Sequence, residues 1–323
     1  MTSTDFTVLL LQGAYASSVA LTLDLLGAGR AVAERAGQPG PRWRLVSMDG
    51  GRLDLQGGMS LQTLRAQASH AGDGSIWIVP GLGLDSATAL SERLAQPDAL
   101  AAAELLRAHG RKGGAVAASC SAVFLLQRAG LLAGRRVSTA WWLAAQLQRL
   151  EPGCQVQAER MVCADGPLLT AGAAMAQSDL MLHLLRTRLG EDLAEAVARV
   201  LLIDARQAQA PFVVPELLAS GDELISQLTR KISQALPSPP SVEEMARDLC
   251  MSTRTLSRHV QRATGQGTLA LVQSVRLQHA RQLLQRSRMS VEQVAAAVGY
   301  QDATALRRLL RKSAGLTPSR MRG

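Results

Sequence analysis

The sequence predicts an α/β fold, an N-terminal parallel sheet sandwiched by helices, followed by a separate all-α C-terminal domain with two helix-turn-helix units. Three observations point there. The first ~205 residues alternate short apolar runs with helical patterns, as a parallel sheet covered on both faces requires. A degenerate repeat follows: SVEEMARDLCMSTRTLSRHVQRATG, from Ser241 to Gly265, returns as SVEQVAAAVGYQDATALRRLLRKSAG, from Ser290 to Gly315. Charge is also unevenly placed, with 19 basic against 18 acidic side chains in residues 1–210 but 16 against 8 in residues 211–323. A basic C-terminal third is where a polyanion would bind.

A chain of 323 residues is comfortable as two domains, each burying its own core. Thr7–Leu11 is the first strand, and Ser17 or Ser18 would cap a helix running to about Ala36. Arg44–Met48 is a second strand, closed by the turn Asp49-Gly50-Gly51. Ser75–Val79, ending at Pro80-Gly81, is a third. Helical patterns cover about 85–109, then Gly114–Ser119 reads as a small-residue strand with a helix starting at once after Cys120. Trp141–Leu150 is helical, the stretch 155–170 holds two or three strands broken at Asp165-Gly166, and helix resumes to about Gln207 with a break at Gly190. Pro211 and Pro215 mark a linker at 211–221, so domains are expected at 1–210 and 222–323. An amphipathic helix then runs to Leu236, and Pro237-Ser238-Pro239-Pro240 leads into the repeat.

Each copy of the repeat carries its own start signal. Ser241-x-x-Glu244 and Ser290-x-x-Gln293 both fit a capping box, in which each side chain satisfies the other residue's orphan backbone donor. Val242, Met245, Ala246 and Leu249, with Val291, Val294, Ala295 and Val298, form the apolar stripe of each first helix. The two copies match at an offset of 49 before the turn and 50 after it, so the slip belongs to the turn. Ser252 and Asp302 are the expected caps of second helices at about 253–263 and 303–313. Those helices turn Leu256 and Val260, or Leu306 and Leu310, inward. Their polar faces carry Thr253, Arg254, Ser257, Arg258 and Arg262 in the first, and Thr304, Arg307, Arg308 and Arg311 in the second. Such helices fit the major groove, where arginine pairs with guanine O6 and N7 and other arginines hold phosphate. A helix from about Leu269 to Arg286, ~27 Å long, would space the two units near one turn of duplex.

The closing stretch GYQDATALRRLLRKSAGLTPSRMR carries a more specific likeness. Through Gly299, Tyr300, Asp302, Thr304, Arg308, Gly315, Thr317, Pro318 and Arg322, residues 222–323 resemble the AraC/XylS-type DNA-binding domain of bacterial transcription regulators. Leu306, Leu310 and Met321 replace the usual aromatics, and Thr268 stands where proline is common. The resemblance implies sequence-specific binding of double-stranded promoter DNA, with RNA polymerase and a second copy of the chain as partners.

In the N-terminal part, AVAASCSAVFLLQRAGLLAGRR and VSTAWW resemble the class I glutamine amidotransferase-like superfamily, including its PfpI-type members, over roughly residues 5–205. Cys120 has the placing of a nucleophile elbow, where a helix N-terminus would lower its pKa. The family's usual histidine ahead of a tryptophan corresponds to Ala140, before Trp141, so catalysis lacks its base. The reading favours a sensing domain, without catalytic residues, for a small-molecule effector such as an amino acid or amine. Its ligand would lie near Cys120, Asp24, Gly81 and Trp141. Asp24 also reads as a solvated helix residue, Trp141 and Trp142 more readily as core or interface packing, and Cys120 also as an inert residue at a tight turn. The competing class is a thiol-dependent amidase or hydratase with an appended DNA-binding domain.

No cofactor is expected, and Cys120, Cys154, Cys163 and Cys250 form no C-x-x-C pair, which argues against zinc and against a disulfide framework. The N-terminus shows no secretory pattern, and no apolar stretch approaches about 18 residues. A cytoplasmic protein with no membrane attachment is expected.

Overall fold

The structure, a computed structural model, describes residues 4–84, 86–203, 209, 223–264 and 267–314. The chain separates into two compact units. The expected linker at 211–221 lies outside the described residues.

The first unit begins with β1 (Phe6–Leu9), α1 (Ala16–Arg35) and β2 (Trp43–Ser47). α1 starts earlier than its serines indicate: Tyr15 is the N-cap residue with no side-chain cap bond, and Ser18 is buried instead. The Gly50-Gly51 turn opens an element that the sequence pattern did not reveal. β3 (Gly51–Asp54) pairs antiparallel with β4 (Ser60–Arg65), and β4 in turn runs parallel to β2. Both strands are largely exposed, so neither shows the apolar run by which the buried strands were recognised.

β5 (Ile76–Val79) follows, then the region expected as one helical stretch divides into α2 (Ala87–Leu94) and α3 (Pro97–Arg111). The break comes where Pro97 occupies the first turn of α3, a position that needs no backbone N–H donor. β6 (Val116–Ser119) leads through a single 3₁₀ turn at Cys120–Ala122 into the short α4 (Val123–Arg128). β7 (Arg136–Val137), α5 (Ala144–Leu150), β8 (Gln155–Val156), β9 (Val162–Asp165) and β10 (Leu168–Ala171) complete the strands. α6 (Ala176–Leu189) and α7 (Glu191–Val200) then meet at Gly190.

The main sheet has the order β3-β4-β2-β1-β5-β6-β10-β9, parallel through its centre and antiparallel at both edges. Two cores lie on its two faces, and strict alternation along the strands feeds them. Phe6, Val8, Ile78 and Ala117 face α1, α6 and α7, whereas Leu9, Trp77, Val79, Val116 and Ala118 face α3 and α4. This is why the central strands read as unbroken apolar runs. β2 and β5 leave β1 on opposite sides, so the strand order reverses at β1. The crevice at the carboxyl ends of β1 and β5 is therefore the switch point where α/β sheets bind ligands.

The second unit is helical: α8 (Glu223–Gln234), α9 (Val242–Asp248), α10 (Thr253–Thr264), α11 (Thr268–Arg286), α12 (Val291–Ala297) and α13 (Ala303–Ala314). α11 touches α8 and α10 as well as α12 and α13. Its Leu277, Ala280 and Leu284 join Val294, Ala295, Val298, Leu306 and Leu310 in one core. At 19 residues it is about 28 Å long.

Candidate nucleic-acid interface and effector crevice

The two repeat copies fold alike down to single hydrogen bonds. Both capping boxes form, Ser241 with Glu244 and Ser290 with Gln293. Both first helices end in a left-handed residue, Cys250 at φ 54° and Gly299 at φ 84°. The next N–H reaches back in each, from Met251 to the Ala246 carbonyl at 2.8 Å and from Tyr300 to the Ala295 carbonyl at 2.9 Å. This is the Schellman ending, which satisfies carbonyls the helix leaves open. The extra residue of the second copy lies between that ending and the next cap, as the slip in register indicated.

Ser252 and Asp302 act as N-caps. The Thr255 N–H donates to Ser252 Oγ at 3.1 Å, and the Ala305 N–H donates to Asp302 Oδ1 at 2.7 Å. The Ala305 and Thr304 amides hold the Asp302 carboxyl below its ordinary pKa, so it stays ionised at the helix's positive end.

Leu256, Val260, Leu306 and Leu310 are fully buried, which turns the opposite faces of α10 and α13 outward. Thr253, Arg254, Arg258 and Arg262 are exposed on α10. Ser257 is half-buried and accepts a hydrogen bond from Thr268 Oγ1 at 3.4 Å, so its hydroxyl is partly engaged within the fold. On α13, Thr304, Arg307, Arg308 and Arg311 are all exposed and together line a surface depression of about 440 Å³. Their spacing is i, i+3, i+4 and i+7, a single helix face. One contact went unseen in the sequence: Arg307 Nη2 donates to Glu292 Oε1 of α12 at 2.7 Å. The two residues are far apart in sequence, and only the helix packing joins them.

In the first unit, Cys120 follows β6 at the sheet's carboxyl edge. Its φ of 55° is the sharp turn of a nucleophile elbow, at a cost of about 1–2 kcal/mol for a side chain there. The Cys120 N–H donates to the Gly172 carbonyl at 2.7 Å, and its own carbonyl accepts from Thr139 Oγ1 at 2.7 Å. Gly81 lies directly against it, since a Cβ added there would stand 3.3 Å from Cys120 Cβ and 3.5 Å from Ser18 Oγ. The Tyr15 N–H donates to the Gly81 carbonyl at 2.8 Å, and Leu82 N–H to Ser121 Oγ at 3.1 Å. Three connections, from β1, β5 and β6, are thus tied together around the cysteine.

One expectation is corrected here. Cys120 is 3% exposed, and burial pushes its thiol pKa up despite bonds from Ser121 and Ala174. The sequence argument for a lowered pKa relied on an immediate helix, but one 3₁₀ turn precedes the short α4, and desolvation prevails. Asp24 is exposed, and Ser18 Oγ lies beside Gly81, next to the cysteine. Trp141 is buried and stacks edge-on against Trp142 at 5.1 Å between ring centroids.

Neither His109 nor His70 gives the cysteine a base. His109 is buried at the opposite end of β6, accepting from the Gly72 N–H and bonded to the Ala115 carbonyl. His70 caps a 3₁₀ turn in the loop before β5, again at the amino edge. Ala140 is fully buried. Among the described residues no three His, Cys, Asp or Glu side chains gather as a metal site, and no helix is long and apolar enough to cross a membrane.

A doubly wound sheet with a cysteine elbow, joined in one chain to paired helix-turn-helix units with arginine-bearing faces, defines a transcription regulator that binds DNA. The DJ-1/PfpI family matches residues 56–187, and the helix-turn-helix domain family matches residues 245–323. The chain thus carries an AraC-type DNA-binding domain together with a DJ-1/PfpI domain. The HTH-type transcriptional regulator GbdR of Pseudomonas aeruginosa is 24% identical over 280 residues, 86% of this chain and 73% of its own. GlxA of Rhizobium meliloti, another HTH-type transcriptional regulator, is 29% identical over 228 residues, 70% of each chain. The crystal structure of an AraC family transcriptional regulator from Pseudomonas putida superposes with a TM-score of 0.52 at 22% identity, covering 61% of this chain and 99% of that one.

Proposed function

We propose that residues 1–210 sense a small metabolite and dimerise, that 211–221 link the two parts, and that 222–323 bind promoter DNA in response. The observation that carries the DNA side is the pair of structurally equivalent second helices, α10 and α13, with arginines on exposed faces. Arg254, Arg258 and Arg262 of the first unit and Arg308 and Arg311 of the second contact bases or phosphates. RNA polymerase and a second copy of the chain are the protein partners, on the strength of the family resemblance, and the cytoplasm is the compartment.

The effector site lies at the switch-point crevice. Gly81, Cys120, Ser18, Ser121 and Thr139 would meet the ligand there with neutral hydrogen-bonding groups, and Trp141 would act as packing nearby. An amino acid or amine is the class the resemblance favours. The domain is not an enzyme on this reading, because a buried thiol with a raised pKa, and with Ala140 where the resemblance would put the histidine base, is a poor nucleophile. The left-handed elbow at Cys120 is the one observation favouring a thiol-dependent amidase or hydratase. Amide or nitrile turnover that disappears in Cys120→Ser would establish that alternative.

Footprinting of promoter DNA by the full chain tests the main reading. Arg258→Ala and Arg308→Ala should each weaken protection by roughly 5- to 150-fold, the span of one good base contact. Unchanged protection in both variants would remove the assignment of these helices.

A further inference from the structure

We infer that Glu292 is a specificity-determining residue of the second reading head, restraining Arg307 so that the protein gives up non-specific phosphate affinity for selectivity; this rests on the DNA-binding reading above. Arg307, Arg308, Arg311 and Thr304 share one exposed face, and a cationic face of this kind adheres to any duplex through phosphate. Glu292 Oε1 holds Arg307 Nη2 at 2.7 Å from the neighbouring helix. The pair is exposed, at 48% and 63% for the two side chains. The bias is therefore limited, at most about fivefold.

The repeat supplies its own control. The counterpart of Glu292 in the first unit is Glu243, at the offset of 49, and it is also exposed. The counterpart of Arg307, at the offset of 50, is Ser257, which is bonded to Thr268. Both units thus carry the acid at the same place, but among the described residues only the second pairs it with a recognition-face arginine. Removing either carboxylate deletes one negative charge from equivalent positions; only Glu292→Gln releases an arginine.

The test uses the full chain, a duplex recovered by selection from a random library, and a scrambled duplex of equal length. Glu292→Gln should bind the scrambled duplex two- to fivefold more tightly. Its salt dependence should steepen by up to about 0.9 in the log–log slope, one added phosphate contact. The ratio of selected to scrambled affinity should fall by a similar factor. Glu243→Gln should give less than half of each change, and Glu292→Gln should have no effect on an Arg307→Ala background. The inference is overturned if Glu243→Gln matches Glu292→Gln, if the effect persists without Arg307, or if slope and affinity stay unchanged. Selection that recovers no preferred duplex overturns the DNA-binding reading itself, a different outcome from any of these.

Discussion

Replacing Gly299 with alanine should damage the second helix-turn-helix unit. Gly299 ends α12 at φ 84°, where a side chain costs about 1–2 kcal/mol. Its missing Cβ would also stand 2.0 Å from the Pro237 carbonyl oxygen, 3.1 Å from the Pro237 carbonyl carbon and 3.3 Å from Arg276 Nη2. The first of these is a backbone atom that cannot swing aside as a side chain can. Forcing the segment apart adds about 1–3 kcal/mol, the usual range for overpacking. The sum is about 2–5 kcal/mol. Native-state hydrogen exchange on the full chain reads this locally. The slowest amides of α12 and α13 should exchange at least about 30-fold faster in Gly299→Ala, while those of β1, β5 and β6 stay as they are. Acceleration below threefold in both helices would refute the reasoning, since the strain and the clash would then be absorbed at no cost.

The first unit of the repeat predicts the opposite sign. Cys250 holds φ 54° with a side chain and is exposed, so Cys250→Gly should stabilise by up to about 1 kcal/mol, relief of strain less the flexibility of an unfolded glycine; a lowered urea midpoint for α9 and α10 would contradict this. Alkylation mapped by mass spectrometry should modify Cys250 before Cys120 at pH 7, because the Cys120 thiol is buried and its pKa raised; faster labelling of Cys120 would reverse the account of the crevice. Gly81→Ala should fold and still bind promoter DNA, yet lose most of its response to effector, since the added methyl crowds Cys120 and Ser18; an unaltered response places the ligand elsewhere. Asp98 gives a pH dependence. Burial raises its carboxyl pKa, but hydrogen bonds from Arg93 at 2.8 and 2.5 Å outweigh that and leave it lowered. A depressed carboxyl contributes stability above its unfolded pKa and loses it as pH falls through the folded value. The stability gap between wild type and Asp98→Asn should thus be full at pH 7 and close below about pH 4, and a gap that stays constant through the acid range would show that Asp98 does not act through ionisation.

The helical part was legible because its signals are local. Capping boxes, a left-handed turn position and an apolar stripe each span a few residues, and the repeat states them twice. Even the one-residue slip between offsets 49 and 50 located the turn that the structure shows lengthened. The buried central strands were legible for a related reason: they must be apolar on both faces. The β3–β4 hairpin was not, because an exposed edge pair has no such requirement and its glycine turn reads equally well as loop.

What the sequence determined by itself, then, is the order of elements, the paired helix-turn-helix units and the position of the cysteine elbow. Tertiary structure alone decided what those residues experience. Burial at the switch point raised the Cys120 pKa where local sequence argued for lowering, and the pitch of α1 brought Ser18 to the crevice while leaving Asp24 in solvent. Packing of α12 against α13 joined Glu292 to Arg307 across fifteen positions. The reason is physical: backbone geometry and capping are settled by neighbours along the chain, whereas desolvation and charge pairing depend on distances in space.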